Sequence, residues 1–292
     1  MAEATSWLSD VLYGALHVQT EHQRDLNLLE QAEYFEVPGA HLYTVLHSVA
    51  NPVARVLLVG SFASERQNSF GAWARWARFL ATKQIEVLRY DYRGIGESTG
   101  VFGELTFEDW HEDALLLAEW LKRRSPKAPF ILHGLEVGAI LAGKLFEAGV
   151  GDAMLLWSPP VTANAALRAT LLRWVGLEQL LRYSEERSTA GDRIRGLEQG
   201  LPTEVEGYEW SPKLWQDSFT FELPLDMSDE ACASQRYGRP VKITNLKADA
   251  APLAKKGMVG GGDEIRDLSW LYLSAFEWMH TILATPAGAR NE

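Results

Sequence analysis

The sequence predicts an α/β fold: a mainly parallel sheet of about eight strands, helices on both faces, and a helical cap inserted late in the chain. Three observations carry this expectation. Short, continuously apolar runs such as Val56–Gly60 alternate with segments of helical periodicity, the pattern of strands buried on both faces and joined by helices. A glycine-bounded turn, His133-Gly134-Leu135-Glu136-Val137-Gly138, joins one such run to a helix. The alternation stops at Pro159, gives way to helical periodicity and charge until about Pro224, and then resumes.

Taken in order, Met1 to Gln31 has mixed helical character, so 1–32 reads as an N-terminal helical extension. Tyr34–Val37 and Leu42–Ser48 alternate apolar and polar residues as antiparallel edge strands do, whereas Val56–Gly60 is apolar throughout. Phe70, Trp73, Ala74, Ala77, Phe79 and Leu80 mark the inner face of a helix. The strand Ile85–Tyr90 ends in the turn Asp91–Ser98. A helix over Phe107–Arg124 leads to the strand Phe130–His133, and one over Val137–Ala148 to the strand Ala153–Trp157. Right-handed crossovers leave few topologies for such a series, and 33–158 is assigned as the first part of the core. In 159–224, Leu167, Leu171, Leu172, Val175, Leu177, Leu180 and Leu181 suggest a helical pair, either a gating lid or a helical excursion without that role. The strand Pro240–Leu246 and a long final helix over Glu264–Leu283 complete the core in 225–292.

Composition excludes several classes of function. The formal net charge of −11 opposes binding to a phosphate backbone, so no nucleic acid is expected. A lone cysteine, Cys232, rules out an intrachain disulfide and suits a reducing compartment. Met1–Thr20 carries Glu3 and Asp10 without a basic head and apolar run, so no signal peptide is expected. No apolar stretch approaches the ~18 residues of a membrane span. The expected location is cytoplasmic. No cofactor is implied, and oligomeric state is left open.

Two motifs bear on chemistry. The turn at His133–Gly138 has the layout of a nucleophile elbow, a tight bend that lifts one side chain above the sheet and needs small neighbours to do so. The side chain lifted here is Glu136. The segment YDYRGIGESTG, Tyr90–Gly100, follows the preceding strand. Its glycines and polar groups are read as holding a loop, with no catalytic role for Arg93 or Ser98. With these motifs, the chain resembles the α/β-hydrolase superfamily throughout its core. More narrowly, VGSFASERQNSF (Val59–Phe70), GLEVGAILA (Gly134–Ala142) and VEGYEWSPKLW (Val205–Trp215) are similar to hydrolase-like proteins found with exosortase systems in bacterial exopolysaccharide loci.

The resemblance implies a serine nucleophile, a histidine base, an orienting acid and an oxyanion hole, and each can be sought in turn. The serine is replaced by Glu136. Asp249 occupies a suitable acid position after the penultimate strand, or is a turn residue. The loop before the last helix, Gly257–Asp263, contains no histidine. His280 lies nearby but well inside the final helix, where packing is the competing role. His133 is expected to be buried against a neighbouring strand. The oxyanion donors would be the backbone N–H groups of Val137 and Phe62, which with the N-terminus of the Val137 helix form an anion site. A carboxylate at Glu136 stands where it would satisfy those donors itself. Trp157, Trp174, Trp210, Trp215, Trp270 and Trp278 either line an apolar ligand pocket or pack the core and cap. No metal site is expected.

These residues leave three functions open. One is a hydrolase-like protein without serine-hydrolase activity, serving a binding or accessory role in exopolysaccharide or exosortase systems. Another is an enzyme using Glu136 as carboxylate nucleophile or acid–base on a small ester, acyl or similar substrate. The last is a non-hydrolytic acyl or lipid carrier; a small-molecule or acyl ligand is the partner expected.

Overall fold

The computed structural model describes residues 29–181, 188–224, 229–246 and 268–284. Asp249 and the stretch 1–28 lie outside these residues.

The chain enters the sheet earlier than expected. β1 (Leu29–Val37) begins inside the stretch assigned to a helical extension and pairs along its whole length with β2 (Ala40–Ser48), from Leu29 opposite Ser48 to Val37 opposite Ala40. Its polar residues hide the strand from a hydropathy reading. The ladder with β2 decides the conformation, as strand preference depends largely on neighbours.

β2 runs antiparallel to β4 (Ile85–Tyr90), and from there the sheet is parallel through β3 (Ala54–Val59), β5 (Phe130–Leu135), β6 (Ala153–Trp157) and β9 (Val241–Thr244). The order is β1-β2-β4-β3-β5-β6-β9, seven strands among the described residues.

Successive residues of the central strands feed two cores. Phe130 and Leu132 of β5 face α2 (Phe107–Arg124) and α3 (Val137–Glu147). Ile131 and Leu135 face α1 (Ala63–Thr82) and α8 (Ser269–Ala284). α2 begins where expected because Thr106 and Asp109 form a capping box. Among the described residues no helix is long and apolar enough to cross a membrane.

Between β6 and β9 lie α4 (Ala163–Leu181), α5 (Ala190–Glu198), the hairpin of β7 (Thr203–Val205) and β8 (Tyr208–Trp210), α6 (Pro212–Asp217) and α7 (Glu230–Tyr237). The leucines expected to form two helices all fall in α4. The insertion is also not wholly helical: Glu206 (φ 52°) and Gly207 (φ 84°) turn β7 into β8, the pair of left-handed residues that a two-residue hairpin needs.

The insertion contacts the core at the edge where the parallel strands end. The Phe102 and Tyr208 rings lie 4.8 Å apart, Phe107 and Phe221 stack at 5.6 Å, and the Phe107 N–H donates to the Asp217 carboxylate at 2.7 Å.

Candidate functional site

β5 ends at Leu135, and Glu136 turns the chain with φ 51° and ψ −122° into α3. Two glycines make room for so sharp a bend. A Cβ at Gly134 would lie 2.4 Å from the Ala139 Cα, and one at Gly138 would lie 2.2 Å from the carbonyl oxygens of both Val59 and Gly60. The first turn of α3 thus presses directly on the end of β3. The Glu136 N–H donates to the Trp157 carbonyl at 2.9 Å, and the Glu136 carbonyl accepts from Ala139 at 2.9 Å. The Glu136 side chain is half-buried and makes no capping hydrogen bond to the first turn of α3. A capping side chain needs extended backbone at that position, and the left-handed elbow denies it.

Strain is concentrated here. Ala63 (φ 50°) follows β3, Glu136 follows β5 and Ser158 (φ 47°) follows β6, three adjacent strands. Each non-glycine residue so placed costs on the order of 1–3 kcal/mol, and such residues gather at active and ligand-binding sites. Of the three, only Glu136 is marked by its local sequence, the flanking glycines 134 and 138; nothing in the local sequence marks Ala63 or Ser158.

The two expected anion donors are brought to neighbouring positions. Val137 opens α3, and Phe62 is the residue before α1, both buried; their loops meet where Gly138 abuts Gly60. Tyr92, which the sequence reading passed over, anchors this junction by donating its hydroxyl to the Gly60 carbonyl at 2.6 Å. The Phe62 ring is held 5.7 Å from Phe107 and 5.5 Å from Trp110.

The turn after β4 is occupied with its own support. Asp91 takes a bidentate contact from Arg66 at 2.8 and 2.7 Å and accepts from the Glu97 N–H. Arg93 makes a bidentate contact with the fully buried Asp113 at 3.1 and 2.5 Å. Burial pushes the Asp113 carboxyl up, against the pull of Arg93. Ser98 donates to the Asp91 carbonyl and accepts from the Tyr43 N–H.

Histidines are placed elsewhere. His133 is wholly buried on the α1 face, its ring 4.4, 4.9 and 6.0 Å from those of Trp157, Trp73 and Trp76. Burial pulls it down to about 3, so it is neutral, and Nδ1–H donates to the Leu155 carbonyl at 3.0 Å. His280 is exposed on α8. One turn before it, Phe276 packs on Phe79 and Lys83 at the far end of α1, where β4 is about to begin. That puts His280 toward the edge of the sheet opposite the elbow. His41 lies by Glu36, His47 between Glu30 and Arg89, and His111 by Glu108 and Phe221. None of the contacts of these five histidines is with Glu136. His17 and His22 lie outside the described residues.

The six tryptophans serve packing: Trp210 and Trp215 are buried, and Trp174 half-buried, in the insertion's share of the core, while Trp157, Trp270 and Trp278 join the α1–α8 core. Among the described residues no group of three or more His, Cys, Asp or Glu side chains offers a metal site.

Comparison with known proteins agrees with this architecture. The family model described as serine aminopeptidase, S33, matches residues 52–226, more than half of the chain. Est1E from Butyrivibrio proteoclasticus, solved with ferulic acid, aligns with TM-score 0.56 at 16% identity over 87% of this chain and 100% of that one. A thermostable carboxyl esterase from Bacillus coagulans, solved with glycerol, aligns with TM-score 0.54 at 13% identity over 88% and 99%. An α/β serine hydrolase without lid from Xanthomonas campestris aligns with TM-score 0.40 at 22% identity over 45% of this chain. There the match spans only 62% of the other protein's length. No curated protein matches the sequence.

Proposed function

The chain belongs to the serine aminopeptidase S33 family of α/β hydrolases, and we propose that it keeps the elbow and its anion donors as a ligand site while lacking serine-hydrolase activity. The observation that supports this most directly is Glu136 at the strained elbow position (φ 51°), with the described histidines engaged elsewhere. Acyl transfer by this scaffold needs a hydroxyl nucleophile and a base within hydrogen-bond reach, about 2.6–3.2 Å. The role that suits such a site is binding or accessory, and the segments resembling exosortase-associated proteins point to exopolysaccharide export or protein sorting as its setting. A small-molecule or acyl ligand, in a cytoplasmic protein capped by residues 159–224, fits this reading.

The strain itself favours a second reading. A left-handed glutamate held at a cost of on the order of 1–3 kcal/mol is what an enzyme with a carboxylate nucleophile or acid–base would retain. One comparison separates the two: hydrolysis of short p-nitrophenyl esters by the wild type and by Glu136→Ala. Equal background rates support the binding role; saturable turnover lost in the variant supports the carboxylate enzyme. Native mass spectrometry of the purified chain for a co-purified small molecule tests for the ligand itself.

A further inference from the structure

The insertion is fastened to the core unevenly, and the unevenness indicates how the elbow is reached. Its two ends are zipped together just inside flanking prolines, Pro159 and Pro160 on one side and Pro224 on the other. Leu223 N–H donates to the Val161 carbonyl (2.9 Å), Ala163 N–H to Phe221 (2.8 Å) and Asn164 N–H to Ser218 (3.0 Å), with a further bridge between Thr162 and Glu222. The insertion therefore joins the sheet through one narrow double-stranded stem, and Ser158 at its foot is left-handed.

On the α2 side the attachment is mainly aromatic. Phe221 stacks on Phe107 and lies 4.6 Å under the Lys144 ammonium, Tyr208 meets Phe102, and Asp217 caps the first N–H of α2. On the α1 side the contact is ionic. Arg173 of α4 binds Glu65, in the first turn of α1, and reaches Glu206 of the hairpin at 3.3 Å. Arg173 is 47% exposed. An exposed ion pair is weak and screened by salt, whereas aromatic burial is not. Glu65 is three residues beyond Phe62, so this contact lies beside the anion donors.

We propose that the insertion opens on its α1 side, swinging on the stem and the α2-side aromatics, with Arg173–Glu65 as the latch that controls entry to the elbow. This rests on reading the elbow as a ligand site, but the latch itself is testable without any ligand. In a Cys232→Ser background, which removes the exposed native thiol, one pair of spin labels at Gln67→Cys and Gln179→Cys reports the α1 side. A second pair at Glu108→Cys and Thr220→Cys reports the α2 side.

Arg173→Glu places a third carboxylate beside Glu65 and Glu206. It should raise the longer-distance population of the α1-side pair by roughly 1.5- to 5-fold, the range an exposed pair supports, and leave the α2-side pair unchanged. The charge swap Arg173→Glu with Glu65→Arg, made with Glu206→Gln so that no like charge faces the new glutamate, should restore the parent distribution, a rescue that a purely steric contact would not give. Unmoved α1-side distances, equal movement of both pairs, or failure of the swap to restore the parent would each overturn the latch. Absence of a co-purified ligand would bear only on the ligand-site reading.

Discussion

The turn after β4 holds itself with side chains. Asp91 rests on Arg66, Arg93 on buried Asp113, and Ser98 bridges to β2. The turn after β5 is built on the backbone: two glycines let α3 press against β3, and Glu136 carries the bend in a left-handed conformation. Both are strand-to-helix turns at one edge of one sheet. The first spends its charged groups on holding a shape. The second puts a glutamate in a costly backbone geometry, which is what the proposed ligand site would require. Polar residues of a motif are therefore weaker pointers to chemistry than the backbone on which they stand.

If the β4 turn is scaffolding, its removal should be felt in stability first. Asp113→Ala leaves the Arg93 guanidinium without its partner in a buried setting, which typically costs about 3–5 kcal/mol. Urea denaturation should show a loss of that size with no selective effect on ligand capture. A marginal loss would return Arg93 to consideration as a functional group.

The β5 turn should fail by crowding. Gly138→Ala drives a Cβ into two backbone carbonyls, and α3 must move away from β3 at a cost of about 3 kcal/mol. A thermal midpoint within a degree of the wild type would mean that the two loops do not abut as described.

His133, beneath the same strand, offers a pH test. Its folded value, about 3, lies below the ordinary 6.5, so the unfolded chain binds the proton more readily. Its contribution to stability is fully present above pH about 6.5 and is lost as the pH falls toward 3. Between pH 6.5 and 5 the loss from this group is about 1.6 kcal/mol, since the slope reaches 1.36 kcal/mol per unit only once the unfolded imidazole is fully protonated. His133→Met should flatten the slope of stability against pH in that interval; an unchanged slope would assign it to other groups, His47 first, which burial pulls down to about 4.

The smallest effect is the most telling for function. Glu136→Gly removes the Cβ from a left-handed residue. Relief of strain should outweigh the added freedom of the unfolded chain, for a net gain of about 1 kcal/mol, while any ligand that uses the carboxylate is released. A variant both less stable and still ligand-bound would show that Glu136 serves as structure.

Much of this was legible in the amino-acid order. The glycines at 134 and 138 flag the elbow, because few other contexts put two glycines around a strand-to-helix joint, and the apolar runs at Val56 and Phe130 are long enough to register as buried strands. The helix over Phe107–Arg124 was readable to the residue because Thr106 and Asp109 mark its start locally. β1 was not, since its polar residues take their conformation from pairing with β2, a contact between distant residues.

What the sequence by itself determined is the series of core elements and the glycine-bounded bend at Glu136, because periodicity, caps and glycine tolerances act over a few residues. Tertiary structure alone decided that β1 begins at Leu29 and that the insertion carries a hairpin. It also decided that His280 points to the far edge and His133 into tryptophans, that Ala63 and Ser158 share the strain of Glu136, and that Arg173 reaches Glu65. Each of these depends on which surfaces meet when the sheet closes, and that is set by the summed burial of two cores rather than by any local run of residues.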